Sequence, residues 1–446
     1  MKIRVRFFTV SLVTASLLFS CSPGLALTVQ VTPPEAGIVA YDPVRSNYTP
    51  GETVTIAAKP KDGFIFEQWT GGYEGRDNPA KIPIMEDMMI KAQFVPVRKE
   101  KTTANESSPE DILLADKPAP PEMLPVASGT FMMGRPYDWD PAWGNERKNE
   151  QPVHEVYLDA YEIGKYPVTN REYAAVLNWA YQKGLLENED GSPYTNGLVY
   201  AFDMPLADTE QSTSWSQISF RDGEFKVRTN KGYNGQDFSM ANHPVVVVDW
   251  YGVLCYCNWL SEIEGLEPCY NTDDWTRYEP VRNGYRPPTE AEWERAAAWD
   301  GNRHWRYGFM SDTLDISRAN YRYAEGKWAN PLDLNNVPRT SPVGWYNGKN
   351  PVHLSTPDKL TVDSPSPVGA YDMAGNVWEW CHDWWCRTYT EEPIKNPTGP
   401  ETGTYRCLRG CAWFYPGYLC RAAYRSTLKP LDRRSYNYGF RVARTP

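Results

Sequence analysis

The chain has 446 residues, among them 18 tryptophans and 29 tyrosines, more than one ordinary domain needs and enough large rings for a sizeable buried core. Its formal net charge is −10, and loss of a leader carrying Lys2, Arg4, Arg6 and no acid makes the remainder still more acidic. That balance argues against nucleic acid as a partner.

In chain order, the three N-terminal cations precede an apolar run from Phe7 to Phe19, the charged and hydrophobic parts of an export signal, too short to span a bilayer comfortably. The run ends in Leu17-Leu18-Phe19-Ser20-Cys21, which resembles a bacterial lipobox. Residues 1–20 are therefore read as a lipoprotein signal peptide with Cys21 as the acylated residue; an ordinary secretory cut near Ala26 is the alternative. The expected location is the bacterial cell envelope, periplasmic or at the cell surface, with the membrane engaged through the lipid alone. Eight further cysteines remain, at 255, 257, 269, 381, 386, 407, 411 and 420, an even set that permits disulfides or buried thiols.

Residues 21–96 alternate polar and apolar side chains in short runs: Leu27 to Thr32, Glu52 to Ala58 and Met89 to Val95, broken at Pro33-Pro34, Pro50-Gly51 and Gly71-Gly72. This predicts an all-β module. Residues 97–120 are charged and proline-rich without an apolar period, which is linker composition. From residue 121 to 446, three helix starts stand out. Thr169 to Glu172 and Thr289 to Glu292 have capping-box spacing, and Asp249 opens a third segment ending near Gly265. The rest is turns, prolines and tryptophans, so the expected class is α+β with low regular secondary structure.

Two resemblances follow from particular residues. Tyr48-Thr-Pro-Gly-Glu-Thr-Val-Thr-Ile with Gly63 to Trp69 is similar to the internalin-type B repeat, a small β-grasp-like spacer or adhesion module, with Trp69 as its core anchor. Met123 to Gly134, Tyr166 to Tyr173, His243 to Trp250, Arg286 to Glu294, Tyr371 to Trp380, Leu408 to Gly410 and Asn437 to Arg441 carry, in order, the landmarks of sulfatase-modifying-factor domains. This family of formylglycine-generating enzymes and non-catalytic variants has a C-type-lectin-like fold, and fold alone does not settle function.

Formylglycine generation needs two cysteines separated by four residues, whose soft thiolates bind copper(I). Here Arg409-Gly410-Cys411-Ala412-Trp413-Phe414-Tyr415 leads into a shorter stretch with rings where that pair should stand, the family's second glycine having become Cys411 and its serine Ala412. Cys381 and Cys386 have the gap in the wrong place, and Cys411 and Cys420 have the wrong gap; no copper is expected. His154, His243, His304, His353 and His382 show no metal-pair spacing and read as separate structural or surface residues. The resemblance implies calcium at Asp372, Gly375, Val377 and Glu379, with Asn320 and Tyr321 at the start of a second site. The alternative for Glu379 is a buried acid paired with an arginine. Trp378, Trp380, Trp384, Trp385 and Trp413 are read mostly as core.

Between the scaffold landmarks Arg409, Gly410, Trp413, Arg421, Arg425, Gly439, Phe440 and Arg441 stand Phe414, Tyr415, Tyr418, Leu419, Tyr424, Thr427, Leu428, Asp432 and Ser435. Two readings are open for them: local core packing, or the lining of a ligand site. In the second reading the chain resembles the variable, lectin-fold targets of diversity-generating retroelements, in which asparagine codons near the gene's end are rewritten. The expected function is a surface or envelope lipoprotein that binds a protein or glycan ligand without catalysis. The alternatives are an oxidase acting on a peptide cysteine and a structural envelope component.

Overall fold

The computed structural model describes residues 25–34, 36–45, 47–61, 64–96, 118–135, 148–431 and 435–446. Cys21, Asp432 and most of the expected linker lie outside the described residues. The chain divides into two units, Met1–Ser107 and Ser108–Pro446.

In the first unit the alternation of apolar and polar residues produces six strands: β1 (Leu27–Thr32), β2 (Gly37–Asp42), β3 (Glu52–Pro60), β4 (Phe64–Gly71), β5 (Ala80–Ile84) and β6 (Met88–Pro96). They form two three-stranded sheets, in the orders β1-β6-β4 and β2-β3-β5. The first and last strands run parallel, while the remaining pairs are antiparallel. Period-two burial follows from the pleat: Val54, Ile56 and Ala58 of β3 point inward, as do Ala80, Ile82 and Ile84 of β5. Trp69 is wholly buried among them, and its indole N–H donates to the carbonyl of Asp77 at 2.8 Å. It is the core anchor expected of it, and the described part of this unit contains no helix.

In the second unit the three helices begin where the sequence places them. Helix α1 (Asn170–Gln182) and helix α3 (Glu290–Ala298) each have both halves of a capping box, from Thr169 with Glu172 and from Thr289 with Glu292. Helix α2 (Trp250–Glu264) starts at Asp249, whose carboxylate accepts the Gly252 N–H at 2.9 Å. It stops at Gly265, which takes the left-handed conformation at φ 72°. Every residue of α2 from Gly252 to Ser261 is buried, so this helix runs through the main core rather than over it.

Strands here are short. The longest, Trp378–Trp384, lies in a four-stranded sheet in the order Ser426–Leu428, Arg406–Arg409, Trp378–Trp384, Tyr438–Gly439. A second four-stranded sheet joins Tyr285–Arg286, Ala443–Arg444, Tyr161–Gly164 and Met123–Val126. Rings supply the packing that regular structure does not: Trp378, Trp380 and Trp413 are buried, as expected. Trp384 and Trp385 are only half-buried; the guanidinium of Arg406 sits between the Trp384 and Trp250 rings, 3.4 and 3.6 Å from their centroids.

Candidate functional site

The segment from Arg409 to Arg441 is built on a layer of buried arginines, each held by a glutamate from elsewhere in the chain. Arg425 meets both oxygens of Glu290 at 2.7 Å, Arg421 meets those of Glu150 at 2.9 and 2.8 Å, and Arg441 meets those of Glu379 at 2.6 and 2.7 Å. Arg409 bridges Glu290 and Glu294. Burial alone would raise the Glu290 carboxyl, but Arg425 and Arg409 hold it below the usual carboxylate range; Glu294, beside Arg409 and His304, is held at about 2. The fork of the guanidinium suits these bidentate contacts, and the sequence positions expected as scaffold are all buried.

Against this layer the intervening side chains behave differently. Phe414, Tyr415, Tyr418, Leu419, Tyr424, Thr427, Leu428 and Ser435 are all half-buried. Phe414, Tyr415, Leu428 and Ser435 line a recess of about 450 Å³ together with Tyr436, Asn437 and Tyr438. Tyr418, Leu419, Tyr424 and Thr427 do not line it: Leu419 and Tyr424 pack on the main core, and Thr427 pairs with Cys407 in the sheet.

The recess has an aromatic wall that sequence reasoning only partly found. The Phe414 ring lies 5.5 Å from Trp413, 6.1 Å from Tyr436 and 6.1 Å from Trp328, the last nearly parallel at 18°. Trp215, exposed on a distant loop, meets Tyr436 edge-on at 4.9 Å. Tyr415 and Tyr438 both line the recess, and burial raises both hydroxyls above their usual range. The indole N–H of Trp328 and the side-chain carbonyl of Asn437, both buried, have no hydrogen-bond partner among the described residues. Such a surface can stack on flat or sugar-like faces. Among the described residues the lining consists of rings, one aliphatic side chain, one serine hydroxyl and one amide, with no carboxylate, histidine or cysteine.

The expected calcium residues resolve into two different things. Glu379 is fully buried and has both oxygens on Arg441, with the Trp293 indole N–H donating to one of them at 2.7 Å. It closes an ion pair, so the expected set of two carboxylates about one cation does not fit this structure. Val377 packs beside Val246 and Val247. Gly375 takes φ +83°, and a side chain there would come within 2.4 Å of the Asn320 carbonyl, which accepts the Asn376 N–H at 2.8 Å. Its role in the structure is that close approach. Asp372 is half-buried without an arginine in contact: it accepts the Gly344 N–H at 2.7 Å and the Asn376 amide at 3.4 Å. Burial pushes its carboxyl up to about 6, with that N–H and the field of Arg441 opposing. Asn320 has its side-chain oxygen buried and without a partner among the described residues, while Tyr321 is buried and packs in the main core. No group of three or more His, Cys, Asp or Glu that could hold a metal ion occurs among the described residues. The five histidines bond separately, to Pro152, Thr340, Glu294, Ser355 and Tyr270.

Residues 110–446 match the family described as sulfatase-modifying factor enzyme 1-like domain, and residues 27–98 match the divergent InlB B-repeat domain. A formylglycine-generating enzyme of Streptomyces coelicolor is 30% identical over 322 residues, which cover 71% of this chain and 87% of that protein. The serine/threonine-protein kinase pkn1 of Chlamydia caviae is 29% identical over 333 residues, 74% of this chain but 39% of the kinase, so the chain spans about two-fifths of that relative's length. Among solved structures, Treponema denticola variable protein 1 is 23% identical, with a TM-score of 0.42 over 73% of this chain and 95% of that one. PvdO from Pseudomonas aeruginosa is 24% identical, with a TM-score of 0.46 over 75% and 97%. With its landmarks in order from Met123 to Arg441 and the family model spanning residues 110–446, the chain belongs to the sulfatase-modifying-factor family, carried behind an internalin-type B-repeat module.

Proposed function

We propose that the second unit is a binding module whose aromatic recess takes a protein or glycan ligand without transforming it. The observation that supports this most is the separation within residues 409–441 between buried arginines, which hold the fold, and half-buried rings, which surround an open recess. Rings are costly to leave half-wetted unless something covers them. The formylglycine-generating chemistry of the relatives calls for accessible thiolates, whereas Cys411 and Cys420, the cysteines nearest the recess in sequence, are wholly buried.

In this reading Cys21 bears the lipid, the B-repeat module stands between anchor and binding unit, and the half-buried positions are those open to diversification. A hard cation such as calcium enters the reading only through Asp372 and Asn320, which flank Asn376. The test is binding of the full chain to arrays of glycans and cell-surface proteins. Saturable binding that disappears in Phe414→Ala/Tyr415→Ala with the thermal melt retained is the expected result. Copper-dependent oxidation of a peptide thiol, abolished by replacing Cys411 or Cys420, would overturn the reading in favour of an oxidase; absence of any saturable binding would favour a structural envelope component. For diversification, a near-repeat of the codons for Arg409 to Arg441, with adenines at the differing positions and a reverse transcriptase nearby, is the expected genomic arrangement. Its absence, together with the absence of distant templates, defeats that part.

A further inference from the structure

Arg406 is a buried arginine that no acid holds, unlike those of the layer beneath the recess. It is 6% exposed, and its guanidinium lies between the rings of Trp250 and Trp384, 3.6 and 3.4 Å from their centroids, so both of its faces are covered. Nη1 donates to the His382 carbonyl at 2.6 Å. Nε is buried without a partner, and among the described residues Nη2 enters no hydrogen bond and no carboxylate forms an ion pair with the group. Burial pushes the guanidinium down to about 10, against the fields of Tyr270, Tyr251 and Asp383, so it is still charged at neutral pH. A buried cation without a counter-charge is costly, and stacking between two rings offsets only part of that cost.

Arg406 and its two rings line a cleft of about 480 Å³ that shares no residue with the aromatic recess. Tyr251 and Trp275 form another part of its wall, both half-buried; the Trp275 ring stands edge-on to Tyr251 at 5.0 Å and to Phe202 at 6.2 Å. With both guanidinium faces stacked, an anion can approach Arg406 only along an edge, and Nε with Nη2 is the edge that a carboxylate matches with its two oxygens. Arg277, also in the cleft, is already taken by Glu279 at 2.6 Å. The exposed acids Asp274, Glu279 and Glu401 repel a doubly charged phosphate more than a singly charged carboxylate. We propose that this cleft binds an organic carboxylate, its acid group on Arg406 and its flat or apolar body against Trp275 and Tyr251. The site stands whether or not the recess takes a ligand.

The full chain is titrated calorimetrically with indole-3-acetate, with its uncharged counterpart indole-3-acetamide, and with inorganic phosphate. The acid is expected to bind at least tenfold more tightly than the amide, and Arg406→Leu to lose that advantage. With no carboxylate to strand, Arg406→Leu should keep a cooperative melt. If it does not fold, Trp275→Ala takes its place: binding of the acid should weaken at least threefold, and unchanged binding overturns the placement. Equal binding of acid and amide, or binding of neither, overturns the proposal and leaves Arg406 a structural cation held by its rings. Tighter binding of phosphate than of the acid overturns the choice of carboxylate. N-acetyl-L-tryptophan, which bears its acid as a peptide chain end does, separates the sources: tighter binding than indole-3-acetate assigns the carboxylate to a chain end and weaker binding to a free acid, and either supports a carboxylate on Arg406.

Discussion

The arginine layer and the aromatic rim occupy the same stretch of chain, yet they respond to opposite physical demands. In the layer, Arg425, Arg421 and Arg441 are out of water with every carboxylate they meet, so each partner is obligatory: removing one leaves the other as a bare buried charge. In the rim, Phe414, Tyr415 and Tyr436 share ring contacts with several neighbours and keep part of their surface open, so loss of one ring removes area without stranding a charge. A single loop can thus combine fixed geometry beneath with tolerance above, which is what a surface that changes its ligand would require.

The contrast can be broken most forcefully from below. Arg441→Leu leaves Glu379 buried against Trp293 alone and should cost about 3–5 kcal/mol in urea unfolding, with most of that recovered when Glu379→Met is added. A loss below about 1 kcal/mol would mean that water reaches the pair and the layer is not obligatory.

Asp372 is an acid without such a partner. Because its folded-state value, about 6, lies above the ordinary 3.8, the native state holds the proton more tightly than the unfolded chain. Its contribution to stability is present at acid pH and is lost as pH rises from about 4 through 6. Asp372→Asn should therefore stabilise the chelated protein at pH 7 by an amount on the order of 1–3 kcal/mol and flatten that part of the pH profile. If calcium binds there, the ion instead stabilises only the wild type, and the variant melts lower in its presence. Identical pH profiles would show that the carboxylate stays ionised.

Replacing rim residues should do less to the fold. Tyr415→Ala, Tyr418→Ala and Tyr424→Ala are each expected to lower stability by no more than about 2 kcal/mol in chemical denaturation. Tyr415, which lines the recess, should lose ligand affinity at least tenfold, and Tyr418 and Tyr424, which do not, should lose less. A collapse on Tyr415→Ala would return that ring to the core. The smallest effect belongs to a larger cut: deleting residues 21–120 should leave the melt of the second unit unchanged within about 0.5 kcal/mol, measured by calorimetry.

The parts of this architecture that were legible in the sequence are those set by neighbours along the chain. Thr169 with Glu172 and Thr289 with Glu292 announce their helices because a capping box is completed within one turn. The alternation in Glu52 to Ala58 announces β3 for the same reason. What depends on distant partners was not legible. The same Glu-in-Trp-Glu-Trp context suits a cation ligand or an ion pair, and only the fold brings Arg441, 62 residues away, onto Glu379. Trp215, from a turn, and Trp328, from the short strand Lys327–Trp328, pack against the recess rings Tyr436 and Phe414 and share no period with the segment from Ala412 to Tyr436, so nothing local marks them.

The parallel pairing of β1 with β6 has a mechanical consequence. Because the two strands point the same way, the chain enters the first unit at one end of the pair, at Leu27, and leaves at the other, beyond Pro96. Strands of six and nine residues set those points about 20–30 Å apart. Tension applied between them loads the register from Leu27 with Met88 to Thr32 with Gln93 in shear, all pairs together, instead of peeling them one by one. The module is wired in series with whatever pulls on the chain, and its resistance is governed by the rate of forced unfolding rather than by equilibrium stability.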